Sequence, residues 1–529
     1  MNHQILDSTW LQIGNRRQFF FDDLMVEQAQ DVTRRYYRPE RVTERPLIES
    51  DQPWEHVTYF STNTWNVIRD PADNLFKCWY EDFCVGDPKS ARTWINETDG
   101  KLCVDFHGEF SSRVCLALSE DGLEWRKPGF GLVEESGLDT NIVLGGSRHG
   151  YVHCAYVMLD EDDPSPARRF KALFEHRREE GGDDMSGAGA FRVAFSRDGK
   201  AWEISDRPII FGHVGEVLGD VVTVSRDPET GIYWANNRHA HMCSSSVQDQ
   251  RKPVQPSWIC PVYPHRVAQE NRRRVFRSYS HDFYNWSTPQ PLVSPDNQWD
   301  NFDDSFYGME QFQIGDDWVG LLTVFHHTDN FLDVQLAYSR DGREFTRVQP
   351  GRPWLSPSGG DAWDSTEVST CSKPVLVGDE LFVYYGGARC HHDWWITGCH
   401  EGLTVPEAHD LSLVGYSMGL AKMKRDRFVS ISSAEAREGL LVTPGVFPQG
   451  RRLVLNACTR PGGMVRVALA DGQDQVFAGF DKESCTPLTG DHVDFEMQWS
   501  GQSGRPDATF IKLHFYLKDA DLFSYQFAD

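Results

Sequence analysis

One seven-residue pattern recurs along the chain and restricts its fold more than any other feature. Ser119-Glu120-Asp121-Gly122-Leu123-Glu124-Trp125 returns as Ser196-Arg197-Asp198-Gly199-Lys200-Ala201-Trp202, as Ser280-His281-Asp282-Phe283-Tyr284-Asn285-Trp286 and as Ser339-Arg340-Asp341-Gly342-Arg343-Glu344-Phe345. Each copy follows a short apolar strand such as RVCLAL or FRVAF. The Asp-Gly step supplies the positive φ of a tight turn, and the aromatic opens the next strand and packs back over the hairpin. A looser fifth copy lies in GLAKMKRDRFVSI, residues 419–431. Spacings of 77, 84 and 59 residues between the serines leave room for more than one hairpin per repeat.

The second hairpin is visible ahead of each turn. TWNVIRDPADNLFKCWYEDF precedes the first copy, VHCAYVMLDEDDPSPARRFKALFEH the second and DVVTVSRDPETGIYWANNRH the third. MEQFQIGDDWVGLLTVFHH precedes the fourth and SKPVLVGDELFVYYGGARCHH the fifth. Two hairpins make a four-stranded antiparallel sheet, and five such units with almost no helical periodicity predict a five-bladed β-propeller. Beyond residue 433 the turn motif disappears and short alternating strands follow, with Val465, Val467 and Leu469 on one face and Ile511, Leu513, Phe515 and Leu517 on another. That stretch predicts a β-sandwich. The expected organisation is all-β: residues 1–50 as a strap packing on the propeller, 51–432 as the propeller and 433–529 as the sandwich.

Composition narrows the partners. A formal charge of -25 repels phosphate backbones and anionic lipid, which excludes nucleic acid and membrane surfaces as natural ligands. No stretch approaches the ~18 apolar residues of a membrane span. The N-terminal MNHQILDSTWLQIGNRRQ has no apolar region behind a basic start, so a cytoplasmic protein is expected. The twelve cysteines are scattered, several of them inside apolar strands, and read as reduced buried thiols. Cys390, His391, His392, Cys399 and His400 hold metal-ligating groups close together, but their spacing matches no zinc motif. No metal or cofactor is expected, and the oligomeric state is left open.

In a four-stranded unit, the residues before the first strand and after the second meet at one end. Reading those positions gives a ring of polar groups at one mouth. The candidate catalytic carboxylates are Asp220, Glu310, Glu367 and Glu175. Asp220 leads directly into an apolar strand and Glu310 lies within one, where an acid is costly unless paired or used. The candidate substrate-binding groups are Glu81, Arg238, Asp304, His326, Asp364 and His391, with Trp54, Trp394 and Trp395 as faces on which a sugar could stack. Each position has a plainer reading as a solvated rim residue. The Arg-Asp-Pro steps at Arg69–Pro71 and Arg226–Pro228 read as type I turns.

Five blades followed by a sandwich resemble the five-bladed propeller glycoside hydrolases, most closely the family 32 type. Family 43 and the mannoside phosphorylases share the first domain. The resemblance spans residues of roughly 50 to 529. It implies a carbohydrate substrate and carboxylates of the early blades acting as nucleophile or base, pKa modulator and acid. The family 32 motif of the Trp-Met-Asn-Asp-Pro-Asn-Gly type and its Glu-Cys acid motif are absent, so no catalytic residue is carried over by motif. The reading is glycoside hydrolysis through carboxylates at the mouth. The alternatives are a mannoside-type phosphorylase and a non-catalytic carbohydrate-binding propeller.

Overall fold

The Ser-x-Asp-Gly segments fold as the turns their chemistry requires. Ser119 Oγ accepts the Gly122 amide at 2.8 Å, and Asp121 Oδ1 accepts those of Leu123 and Glu124 at 2.8 and 2.9 Å. The same bonds recur at Ser196/Asp198, Ser280/Asp282 and Ser339/Asp341. The glycine position needs φ near +77° in the first two copies, and Phe283 reaches φ 68° in the third. The computed structural model describes residues 10–62, 64–84, 86, 92–95, 102–105, 111–177, 191–207, 209–211, 221–239, 273–301, 303–399, 403–434, 437–500 and 502–529.

Among these residues the protein is all-β, with helices of only one turn at Gly146–His149 and Trp394–Thr397. The hairpin pairs fold as antiparallel meanders. Trp65–Arg69, Phe76–Cys84, Ser111–Ser119 and Trp125–Arg126 make the first. Tyr151–Leu159, Phe170–Arg177, Phe191–Ser196 and Glu203–Ile204 make the second. Val222–Arg226, Tyr233–His239, Arg274–Ser280 and Asn285–Trp286 make the third. The fourth, from Asp304–Ile314 through Phe331–Ser339, joins the fifth through a parallel bridge between Leu332 and Glu367. The fifth contains Glu367–Ser369, Glu380–Ala388 and Tyr416–Lys424.

Side chains lock the first sheet to the second, the third to the fourth and the fifth to the first. Asn66 Nδ2 donates to Val157 O at 2.6 Å while Val157 N donates to Asn66 Oδ1 at 3.2 Å. Thr223 Oγ1 donates to Met309 O at 2.8 Å. Ser372 Oγ accepts from Val67 N at 2.9 Å and donates to Val67 O at 3.2 Å, so the fifth sheet meets the first. The turns add a second layer of contact. Trp79 of the first sheet donates to Gly199 O at 2.8 Å, and Tyr384 of the fifth donates to Gly122 O at 2.9 Å.

The chain departs from its expected layout at the seams. The fifth turn is followed by Val429–Ser433, which leaves the meander and pairs with Val32–Tyr36. Glu40–Arg41 from the N-terminal region takes the vacant edge beside Ala421 and Lys422. Gln18–Phe19 and Gln28–Gln30 pair with C-terminal strands, within one eight-stranded sheet. The segments LVLNACT (453–459) and MVRVALA (464–470), whose alternation suits two short strands, form one 19-residue strand, Arg452–Ala470, with its register shifting between Thr459 and Met464. Their apolar periods are in phase, and periodicity alone does not separate one bent strand from two.

Candidate functional site

The strand Tyr151–Leu159 is interrupted where it reaches the polar end of the sheets. Its register slips between His153 and Tyr156, and Cys154 has φ 50°. Such a bulge re-aims side chains that would otherwise alternate. Here His153 and Cys154 are adjacent in sequence yet touch, with Nε2 and Sγ 3.3 Å apart. Glu81, fully buried in Phe76–Cys84, lies against both. Its carboxylate accepts from Ser112 Oγ, from the Cys154 amide at 3.0 Å, and pairs with His153 Nδ1 at 2.6 Å. Burial alone would lower the His153 pKa, but Cys154 and Glu81 outweigh it and hold the ring well above its ordinary value. Glu175 faces His153 in the register of the second sheet.

A second carboxylate–imidazole pair sits on the fifth sheet. Glu367 is fixed from both sides, bridged to Leu332 and paired with Ala388, and is fully buried. It accepts from Ser61 Oγ and pairs with His392 Nδ1 at 3.0 Å. His392 Nε2 continues to the Tyr307 hydroxyl at 2.9 Å. Burial disfavours the imidazolium, yet Tyr307 and Glu367 raise its pKa to about 10. Arg238 and Arg273 hold their guanidinium carbons 4.2 and 4.8 Å from the centre of the Tyr307 ring. Tyr59 links the two pairs. Its buried phenol feels Glu367, Tyr307 and Cys154, and its ring lies 5.2 Å from Phe83, which lies 5.5 Å from His153.

Glu310 stands on the inner strand of the fourth sheet, 1% exposed. Its Oε1 accepts from the Gln311 amide at 3.0 Å, whereas Oε2 has no hydrogen-bond partner. It borders a small cavity with room for about one water, whose walls include Thr62, Thr223, Thr323 and Thr370. Gly308 is required here because a Cβ would come within 2.8 Å of Val221. Burial pushes the carboxyl up to about 7 against the opposing pull of Lys373 and Tyr156. Lys373 is itself lowered by burial.

The structure thus brings Glu81, Arg238 and Glu367 into one neighbourhood, with Glu175 in register beside His153 and Glu310 at the adjoining cavity. It uses other candidates elsewhere. His326 sits between Asp304 at 2.6 Å and Asp333 at 3.1 Å, clamping three strands of the fourth sheet, and is raised to about 10 by those acids in spite of burial. Asp364 is bound by Arg41 Nε at 2.9 Å and the Tyr385 hydroxyl at 3.2 Å. His391 pairs with Glu407 and lies 4.3 Å from the Trp394 ring. Trp54 donates to Asn141 at 2.9 Å. Trp395 is 1% exposed and offers no stacking face to a ligand, because it packs among Tyr59, Phe83 and Tyr416. Asp220 and His400 lie outside the described residues.

Sequence reasoning missed Ser61, Tyr307 and the role of Cys154. Ser61 and Tyr307 carry no charge to attract notice, and a bulge leaves no mark in periodicity. Glu81, His153 and Cys154 bring donor atoms within 4.8 Å of one another. The imidazole, however, turns Nδ1 to Glu81 and Nε2 to Cys154, so it lies between the two rather than converging with them on a point.

No family model matches the chain, and no curated protein matches it. Among solved structures it is similar to an N-acetylgalactosamine deacetylase from F. plautii, with 14% identity, 75% of this chain and 97% of that one covered, and a TM-score of 0.42. It is also similar to a β-1,2-mannobiose phosphorylase from Listeria innocua, with 14% identity, coverages of 74% and 97%, and a TM-score of 0.44. A family 43 arabinoxylan arabinofuranohydrolase from Bacillus subtilis covers 93% of this chain with 99% of its own, at 10% identity and a TM-score of 0.39. Likeness this loose assigns no activity and no residue.

Proposed function

We propose that the five sheets are the blades of a five-bladed β-propeller, that the terminal strands form a sandwich beside it, and that the polar mouth cleaves a glycosidic bond. The observation that carries this reading is a pair of buried carboxylates in opposite environments. Glu310 faces a cavity with one oxygen unpartnered and holds its proton up to about 7. Glu367 is bound by an imidazolium and a serine hydroxyl. A carboxyl that keeps its proton and a second one fixed by hydrogen-bond donors offer the two roles such chemistry needs. Glu310 donates the proton to the leaving oxygen, and Glu367 attacks the anomeric carbon or activates water. Asp220, the acid that leads into the apolar strand in the sequence, is the candidate third carboxylate. Arg238 binds sugar hydroxyls or a carboxylate.

The test is turnover of a panel of aryl glycosides and oligosaccharides by the wild type, Glu367→Gln and Asp220→Asn. Loss by 100-fold or more in the folded Glu367 variant is expected, within the ~10²–10⁴ range of a general acid or base. Unchanged turnover would remove Glu367 from the reaction. A second reading is phosphorolysis, favoured by the two guanidinium groups gathered on Tyr307. Release of a sugar phosphate only in the presence of inorganic phosphate would select it.

A further inference from the structure

Among the described cysteines, burial raises the thiol pKa of Cys78, Cys115, Cys371 and Cys390, which makes them poor nucleophiles. Cys154 differs in its surroundings. Its backbone adopts a left-handed conformation that only a bulge maintains, and its amide is spent on Glu81 rather than on a sheet partner. Its sulfur lies 3.3 Å from His153 Nε2, and His153 Nδ1 lies 2.6 Å from Glu81 Oε1. Nucleophile, base and orienting carboxylate thus follow one another through the two nitrogens of one ring, the order that activates a thiol. Ser112 and the Cys154 amide hold the carboxylate in place. Tyr151, Tyr59 and Glu175 are the other titratable groups facing the ring and the sulfur.

We propose that Cys154, His153 and Glu81 form a nucleophilic triad that transfers a small acyl group from an ester. In the resting pair the thiol proton already sits on His153 Nε2, and the Sγ thiolate bonds to the carbonyl carbon. The ester C–O bond breaks and the leaving alkoxide takes the proton from Nε2, leaving an S-acyl enzyme and an alcohol. Water then adds to the thioester carbonyl and gives its proton to Nε2. The C–S bond breaks, the Sγ thiolate is restored beside the protonated ring, and the carboxylic acid departs. An acyl group suits sulfur better than a sugar does, because a thioester hydrolyses readily whereas an S-glycoside is stable and would trap the enzyme. With Cys154 3% exposed and His153 half-buried, the group transferred is small. The activity is separate from glycoside cleavage by Glu310 and Glu367, so either can fail alone.

The test uses the full chain with p-nitrophenyl acetate and iodoacetamide. A burst of one nitrophenolate per chain is expected, with turnover reduced 100-fold or more in Cys154→Ser and in wild type alkylated at that residue. Peptide mass spectrometry is expected to find Cys154 carbamidomethylated at pH 6 at least ten times faster than N-acetylcysteine. Because Cys154→Ser alters a strained position, its fold is checked by circular dichroism, and alkylation of the unmutated protein stands as an independent measure. Glu81→Gln is expected to move the pH profile of alkylation upward, which a merely structural glutamate would not do. Absence of a burst, retention of turnover in Cys154→Ser, or alkylation no faster than the free thiol would overturn the triad. Loss of esterase turnover on dialysis against a chelator would also overturn it, in favour of an ion held by the same donors.

Discussion

Replacing Glu310 with glutamine separates the energetic consequence of its burial from its chemistry. The carboxyl is raised from an ordinary 4.5 to about 7. A raised acid favours its protonated form in the folded state, so the folded chain binds more protons than the unfolded one between these values. Stability is therefore fully present below about 4.5 and lost as pH climbs towards 7. At 1.36 kcal/mol per unit the loss is about 3 kcal/mol. An unfolding entropy of ~2.1 cal/mol/K per residue gives about 1.1 kcal/mol/K for a chain of this length, so the loss is worth about 3 °C in Tm. Glutamine is neutral throughout and keeps the shape, with its amide facing the threonine hydroxyls of the cavity. Glu310→Gln is expected to melt about 3 °C higher than wild type at pH 8 and within about 1 °C of it at pH 5, by scanning calorimetry. Catalysis is expected to move the other way, losing 100-fold or more on alkyl glycosides and much less on dinitrophenyl glycosides, whose leaving group needs no proton. Equal Tm displacements at both pH values, or a variant less stable at pH 8, would refute the burial argument.

Three further outcomes follow from the same geometry. Gly199→Ala places a methyl 2.4 Å from Trp79 Cζ2 at φ +77°, and urea titration is expected to show a loss of at least 2 kcal/mol. Asn66→Ala strands both the amide and the carbonyl of Val157 in a buried seam, a cost of about 2–4 kcal/mol in the same titration. His326, raised to about 10 by Asp304 and Asp333, contributes stability that is present below its ordinary 6.5 and lost as pH rises towards 10. His326→Gln is expected to lower Tm at pH 6 and to flatten its decline between pH 7 and 10.

The turns were legible because their determinants are local: a serine, an aspartate and a glycine within four residues specify the same bonds in three copies, and Phe283 stands in for the glycine in a fourth. The strand pairs were legible for the same reason. The exchange of edges between Glu40–Arg41 and Val429–Ser433 was not, since it depends on which distant strand offers the better partner. At the site, Glu81 and Glu367 stood out as acids beside apolar strands, and burial with specific partners explains both. Asp364 and His326 carried the same signal, yet Arg41, which engages Asp364, lies on an N-terminal element whose proximity no spacing rule reveals, and Asp333 binds His326 from the next strand without a mark of that role in the sequence. Charge in an apolar context identifies residues that need partners, and the fold decides whether the partner is a protein group or a ligand.

The pairing of Gln18 with Tyr525 and of Trp10 with Gly445 has a consequence for biosynthesis. These early strands leave the ribosome long before the strands they pair with have been made. At ~5–20 residues per second the roughly 500 intervening residues take about 25–100 s to appear. Phe19 and Phe20, fully covered in the finished protein, are unpartnered for that interval. The nascent chain therefore carries an exposed apolar strand through that interval, a natural point of engagement for a holding chaperone.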